Sequence, residues 1–287
     1  MKPFILNNID TTFASYQQLI DLYNEYKDHC FETIEISFQQ WFSANLSSAL
    51  GGILDKLLNQ LNTINFQNIP LQIQAVLQKN DFLSHFGYQK IIDKHNTTIK
   101  YLKLKPTDGR FFNKYVAEEL LNHPELPQIS SALKKKIAES IYEIFVNAQL
   151  HSESDFIYTC GQFFPTKHTI NFTIVDTGIG FKNRVNQRFN KNLSSVQSIK
   201  WALIDGNSTK LNISGGIGLA ILREFIKKNN GIIQIISDDG FYQLDSNREQ
   251  TSFFSGAYPG TVINMQFKTN DVTSYALMSE TDPDNLF

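Results

Sequence analysis

Cysteine is scarce: only Cys30 and Cys160 occur in 287 residues, far apart and without a Cys-x-x-Cys spacing. That pattern excludes a disulfide scaffold and a zinc ribbon. No stretch approaches the roughly 20 apolar residues of a membrane helix. The opening Met1-Lys2-Pro3-Phe4-Ile5-Leu6-Asn7-Asn8 has too short an apolar run for a signal peptide. An excess of positive charge is missing as well, since 26 Lys and Arg stand against 28 Asp and Glu for a net charge of −2. Lys134-Lys135-Lys136 is the densest basic cluster and reads as the solvated start of a helix. The expectation is a protein of a reducing cytoplasm that engages neither nucleic acid nor membrane.

What is present suffices for a sizeable core, with 41% hydrophobic and 13% aromatic residues, and the length suggests two domains. Phe13, Tyr16, Leu19, Ile20 and Tyr23 recur at helical spacing. Thr33 to Phe38 alternates with period two, as a strand does. Leu46 to Leu61 reads as a helix, with Leu50, Ile53, Leu54, Leu57, Leu58 and Leu61 on its apolar face. Leu71 to Val76 alternates again and is expected to be a strand, followed by a short helix from Asp81 to Phe86 that Gly87 stops. Strand, helix, strand, helix implies a parallel pair joined by a crossover. The order resembles STAS-like domains, and on that resemblance residues 1–105 are expected to form a small α/β unit that docks a partner. Pro106, Gly109, Pro124 and Pro127 interrupt a polar stretch, so 106–130 is expected to be a linker, with one helix over Phe111 to Leu121.

The chemistry-bearing pattern lies further on. Leu133 to His151 has helical periodicity, with Ile137, Ile141, Ile144, Phe145 and Ala148 on one side. Glu139, Glu143, Asn147 and His151 run along the other, with no cation spaced to neutralise Glu143. A carboxylate and a carboxamide one turn apart offer hard oxygens to a hydrated magnesium ion. Phe156 to Cys160 reads as a strand turned by Gly161. The strand His168 to Val175 then delivers Asp176 to a loop containing Gly178 and Gly180. After a polar segment that includes Lys210, Gly215, Gly216 and Gly218 open a helix that ends at Asn229-Asn230-Gly231. Freed amides there form an anion site. Gly231 to Ser237 and Thr261 to Lys268 complete the sheet.

The ordered set Glu143-x-x-x-Asn147, Asp176-x-Gly178-x-Gly180 and Gly215-Gly216-x-Gly218-Leu219 resembles the GHKL superfamily, the histidine kinase-like ATPases, over Leu133 to Lys268. The resemblance implies an α/β domain at 131–270, a two-layer sandwich of Bergerat type, followed by a flexible acidic tail at 271–287. It implies ATP and Mg²⁺ as ligands. Asn147 would bind the metal, Glu143 would act as the catalytic carboxylate, and Asp176 would read the adenine amino group. The glycines would shape the pocket, Thr261 would support Asp176, Lys210 would reach the γ-phosphate from a lid, and His151 would lie near the nucleotide. None of His29, His85, His95, His123, His151 and His168 has the setting of a phosphoaccepting sensor-kinase histidine. Three readings follow from this: a kinase acting on a protein partner, an ATPase switching a partner surface, and a non-catalytic ATP sensor. A homodimer is compatible with all three.

Overall fold

A computed structural model describes residues 2–151, 154–204, 217–246 and 248–281. Among the described residues the chain is mixed α/β with two sheets, one parallel in the order β1 (Phe4–Ile9), β2 (Thr33–Phe42), β3 (Thr63–Gln67), and one antiparallel in the order β4 (Thr98–Leu104), β5 (Ile157–Phe164), β6 (Thr169–Asp176), β8 (Arg248–Lys268), β7 (Ile232–Asp245). Among the described residues no helix is long and apolar enough to cross a membrane.

In the first half, β1 (Phe4–Ile9), β2 (Thr33–Phe42) and β3 (Thr63–Gln67) are linked by the crossover helices α1 (Phe13–Tyr26) and α2 (Ser47–Leu58). The side chain of Thr12 caps α1 by accepting the Ser15 amide. Helix α2 is buried nearly all round, from Ser47 to Leu54 and at Leu57. The reason is that it lies between the two sheets. Leu71 to Val76, expected as a strand, is instead the start of helix α3 (Leu71–Lys79). Ile73 and Leu77, four apart, are its buried pair, and Leu71 points to solvent at 83% exposure. The alternating Leu71 and Ile73 therefore fall on opposite sides of a helix, the buried face being set by the four-residue spacing of Ile73 and Leu77, and the third strand is the short Thr63–Gln67.

Thr98–Leu104 forms β4, which pairs with β5 (Ile157–Phe164) at the edge of the second sheet. Strand β5 continues through Gly161, where a turn was expected; that glycine sits opposite Ile99 and Phe172, and a Cβ there would meet Asn171 O at 2.7 Å. Helix α4 (Gly109–Tyr115) runs into a π-helical turn over Val116–Leu121. Helix α5 (Ser131–His151) begins at Ser130, whose hydroxyl accepts the Leu133 amide at 3.1 Å. Strand β6 (Thr169–Asp176) leads to α6 (Gly180–Phe189), and α7 (Ser195–Ala202) opens with a capping box between Ser194 and Gln197. Helix α8 (Ile217–Lys228) ends with Asn230 in the left-handed region and Gly231 N donating to Ile226 O at 2.8 Å. Strands β7 (Ile232–Asp245) and β8 (Arg248–Lys268) are far longer than expected and form a projecting hairpin. Asp271 to Thr281 is held by side-chain contacts: Tyr275 Oη bonds Asp271 and Lys228 O, and Ser130 Oγ donates to Glu280 at 2.6 Å.

The five-stranded sheet separates two cores. One contains Phe172, Ile174, Ile263 and Met265 with Ile137, Ile141, Phe145 and Leu222, under α5 and α8. The other contains Tyr158, Cys160, Val175, Tyr258 and Val262 with residues of α1 and α2. Two layers were expected for this half of the chain; the first half adds cover to the remaining face.

Candidate functional site

Asp176 is the last residue of β6. Ile170, Phe172 and Ile174, which share its side of the strand, all face the α5–α8 core, so the alternation of the strand places the carboxylate at the rim of that layer. One oxygen, Oδ1, accepts the Gly178 amide at 2.9 Å. The other accepts no hydrogen bond among the described residues. Burial pushes the carboxyl up to about 7; the Gly178 amide and the Lys56 ammonium, from the last turn of α2, oppose this, and Asp238 adds to it.

The loop after Asp176 is tied to the chain leaving α5. Thr177 N donates to Ser154 Oγ at 3.1 Å, and the two hydroxyls lie 3.0 Å apart. Both residues are buried. Ser154 follows His151 by three residues, a reach of about 10 Å at most. The end of the helix that carries Glu143 and Asn147 is thus anchored beside the Asp176 loop. On α5 itself Ile137, Ile141, Ile144, Phe145 and Ala148 are buried, Glu143 is half-buried and Asn147 is exposed. The polar stripe and the apolar face fall where helical spacing puts them.

Gly180 opens α6 with φ +73, and a Cβ there would lie 2.6 Å from Asp238 Oδ2. That carboxylate accepts the Lys182 amide at 3.2 Å, while Ser237 Oγ accepts the Phe181 amide at 2.8 Å. The glycine is required by the left-handed backbone and by the closeness of a capping carboxylate. Gly260, with φ +141, brings β8 so near β6 that a Cβ would collide with Asp176 O. Thr261 lies directly across from Asp176 in the register, but its hydroxyl pairs with Ser237 Oγ at 3.2 Å and makes no hydrogen bond to the Asp176 carboxylate. The two residues are joined here by the strand pairing alone.

Gly218 is the second residue of α8, and His151 is the last of α5. Lys210, Gly215 and Gly216 lie outside the described residues. Sequence reasoning missed Ser154, Ser237 and Asp238, which shape the Asp176 loop, and Lys56, which comes from the other half of the chain. Ser154 and Lys56 carry no local signal; Asp238 lies inside β7, one residue past the Gly231–Ser237 strand that the alternation marks. Among the described residues no group of three His, Cys, Asp or Glu side chains could hold a metal ion. A magnesium ion here would take most of its ligands from phosphate and water, which fits a carboxamide such as Asn147 as a single protein ligand.

No protein-family model and no curated protein matches the chain.

Proposed function

We propose that the second half of the chain is a Bergerat-type domain that binds Mg-ATP in the GHKL manner and turns it over, as a phosphotransferase or ATPase in regulation. The observation that carries this reading is the Asp176 carboxylate, half occupied by Gly178 N and with no other hydrogen bond among the described residues, at the end of a strand whose loop is fastened to Ser154, three residues after α5. A carboxylate with one open acceptor, flanked by glycines, suits the exocyclic amine of adenine. By the resemblance, Asn147 would share a magnesium ion with the phosphates and Glu143 would orient or deprotonate the attacking group. ATP would supply the phosphoryl group. Work by such residues consists of positioning and charge neutralisation.

The STAS-like first half would serve as the partner-docking unit in this scheme, and its packing on the sheet through α2 gives it a physical link to the Asp176 loop. Incubation with γ-labelled ATP tests the reading: Glu143→Ala abolishes release or transfer of label while retaining ATP binding. If the variant keeps full turnover, the catalytic assignment fails. If the wild-type chain binds ATP but has no turnover with any partner offered, the nucleotide acts as a sensor ligand.

A further inference from the structure

A groove of about 560 Å³ runs between α4 with its π-helical turn and the first half of α5. Arg110 and Lys114 line one wall, Lys134 and Lys135 the other, and no carboxylate is among the lining residues. Lys114 lies 3.7 Å from Glu118, an exposed pair that is worth little in water, and Lys134 Nζ donates to Asn122 Oδ1 at 3.3 Å. Arg110 and Lys135 have no acidic partner among the described residues. Four cations thus converge on one cavity in a chain whose net charge is −2. Three of them are exposed, so water screens their mutual repulsion, and the groove favours an anion by the sum of several modest attractions.

The rest of the lining defines the ligand class. Asn113 and Asn122 offer carboxamides, and Tyr142 offers a ring fixed by its stack on Phe145 at 6.2 Å. Gly109 lies so close to the Tyr142 hydroxyl that an added Cβ would be 2.7 Å from it, which sets the end of the groove. The volume is that of a small-molecule site. We propose that this groove binds a phosphorylated small molecule carrying two or more phosphates, at a site separate from the Asp176 end. Lys135 and His151 are sixteen residues apart along α5, about 24 Å. The inference does not rest on the ATP reading, although one helix carries both sets of residues.

The test is calorimetry of the full chain with inorganic tripolyphosphate in the absence of magnesium. The expected result is saturable binding that weakens with added salt. It falls at least tenfold in Arg110→Gln/Lys135→Gln and is unchanged in Asp176→Ala and in the surface control Lys94→Gln/Lys227→Gln. Circular dichroism melting confirms that each variant is folded. Loss in the control as great as in the groove variant, or loss in Asp176→Ala instead, would overturn the proposal, as would no binding at all. Tighter binding of a ten-residue oligothymidylate than of tripolyphosphate, lost with the groove residues, would overturn it in favour of a nucleic-acid site.

Discussion

The two faces of the five-stranded sheet are both buried, yet they are built from opposite chemistries. Under α5 and α8 the inward residues of the sheet are chiefly Ile, Phe, Leu and Met, and contact is close-packed hydrocarbon. Towards α1 and α2 the sheet presents Gln162, Asn171, Thr173, Gln234 and Asn264 among its apolar residues, all of them buried. Asn45 Nδ2 donates to Thr173 Oγ1 at 3.1 Å and to Asn264 Oδ1 at 3.2 Å, and Tyr16 Oη donates to Gln234 Oε1 at 3.0 Å. The Ala44 amide donates to Gln162 Oε1 at 2.5 Å. The first half is thus fixed to the sheet by directed bonds, which set one registration, whereas the helices of the second half are held by area.

That contrast can be broken by substitution. Phe172→Ala empties a fully buried ring position on the apolar face and should cost about 3–5 kcal/mol, read as a shift of the denaturant midpoint. Asn45→Ala removes two bonds from the polar face and should cost about 1–3 kcal/mol, since partners are left buried and less satisfied. If Asn45→Ala costs as much as Phe172→Ala, the polar face is doing more than registering the two halves, and the comparison fails.

A smaller effect sharpens it at the rim of the apolar face, where Asp176 titrates. Its folded carboxyl holds a proton up to about 7, while an unfolded aspartate releases it near 3.9. The folded chain therefore binds more protons between those values. The contribution of this group to stability is present in full below about pH 4 and is lost as pH rises through about 7. Denaturant midpoints at pH 5 and pH 8 should show a steeper decline in the wild-type chain than in Asp176→Asn. An identical slope in both would show that the group is ionised throughout.

Much of this was legible where periodicity and burial agree. The alternation of β6 and the three-and-four spacing of α5 locate Asp176 and the Glu143–Asn147 stripe, because each element has one apolar face towards a single core. Leu71 to Val76 misled because a strand period and one helical turn cannot be told apart over six residues when Leu77 is left out. The polar side of β6 and β8 reads as solvent-facing, and nothing local shows that a distant α2 covers it. Helix α6 was missed because only Gly180 and Val185 are buried along it, and its amides are capped by Ser237 and Asp238, more than fifty residues downstream. The projecting β7–β8 hairpin depends on Phe13 of α1, which stacks on Phe254 at 4.4 Å and meets Phe241 edge-on at 5.4 Å. Contacts of that sequence separation leave no mark on a local pattern.

In the proposed function, the second oxygen of Asp176 accepts a hydrogen bond from the adenine amine. Calorimetry with Mg-ATP and Mg-GTP at pH 8, where the carboxylate is ionised, addresses it directly, because guanine presents a carbonyl oxygen where adenine presents the amine. The expected result is saturable heat with ATP, at least tenfold weaker binding of GTP, and no ATP binding by Asp176→Ala. Equal affinity for the two nucleotides, or undiminished ATP binding by Asp176→Ala, would contradict it.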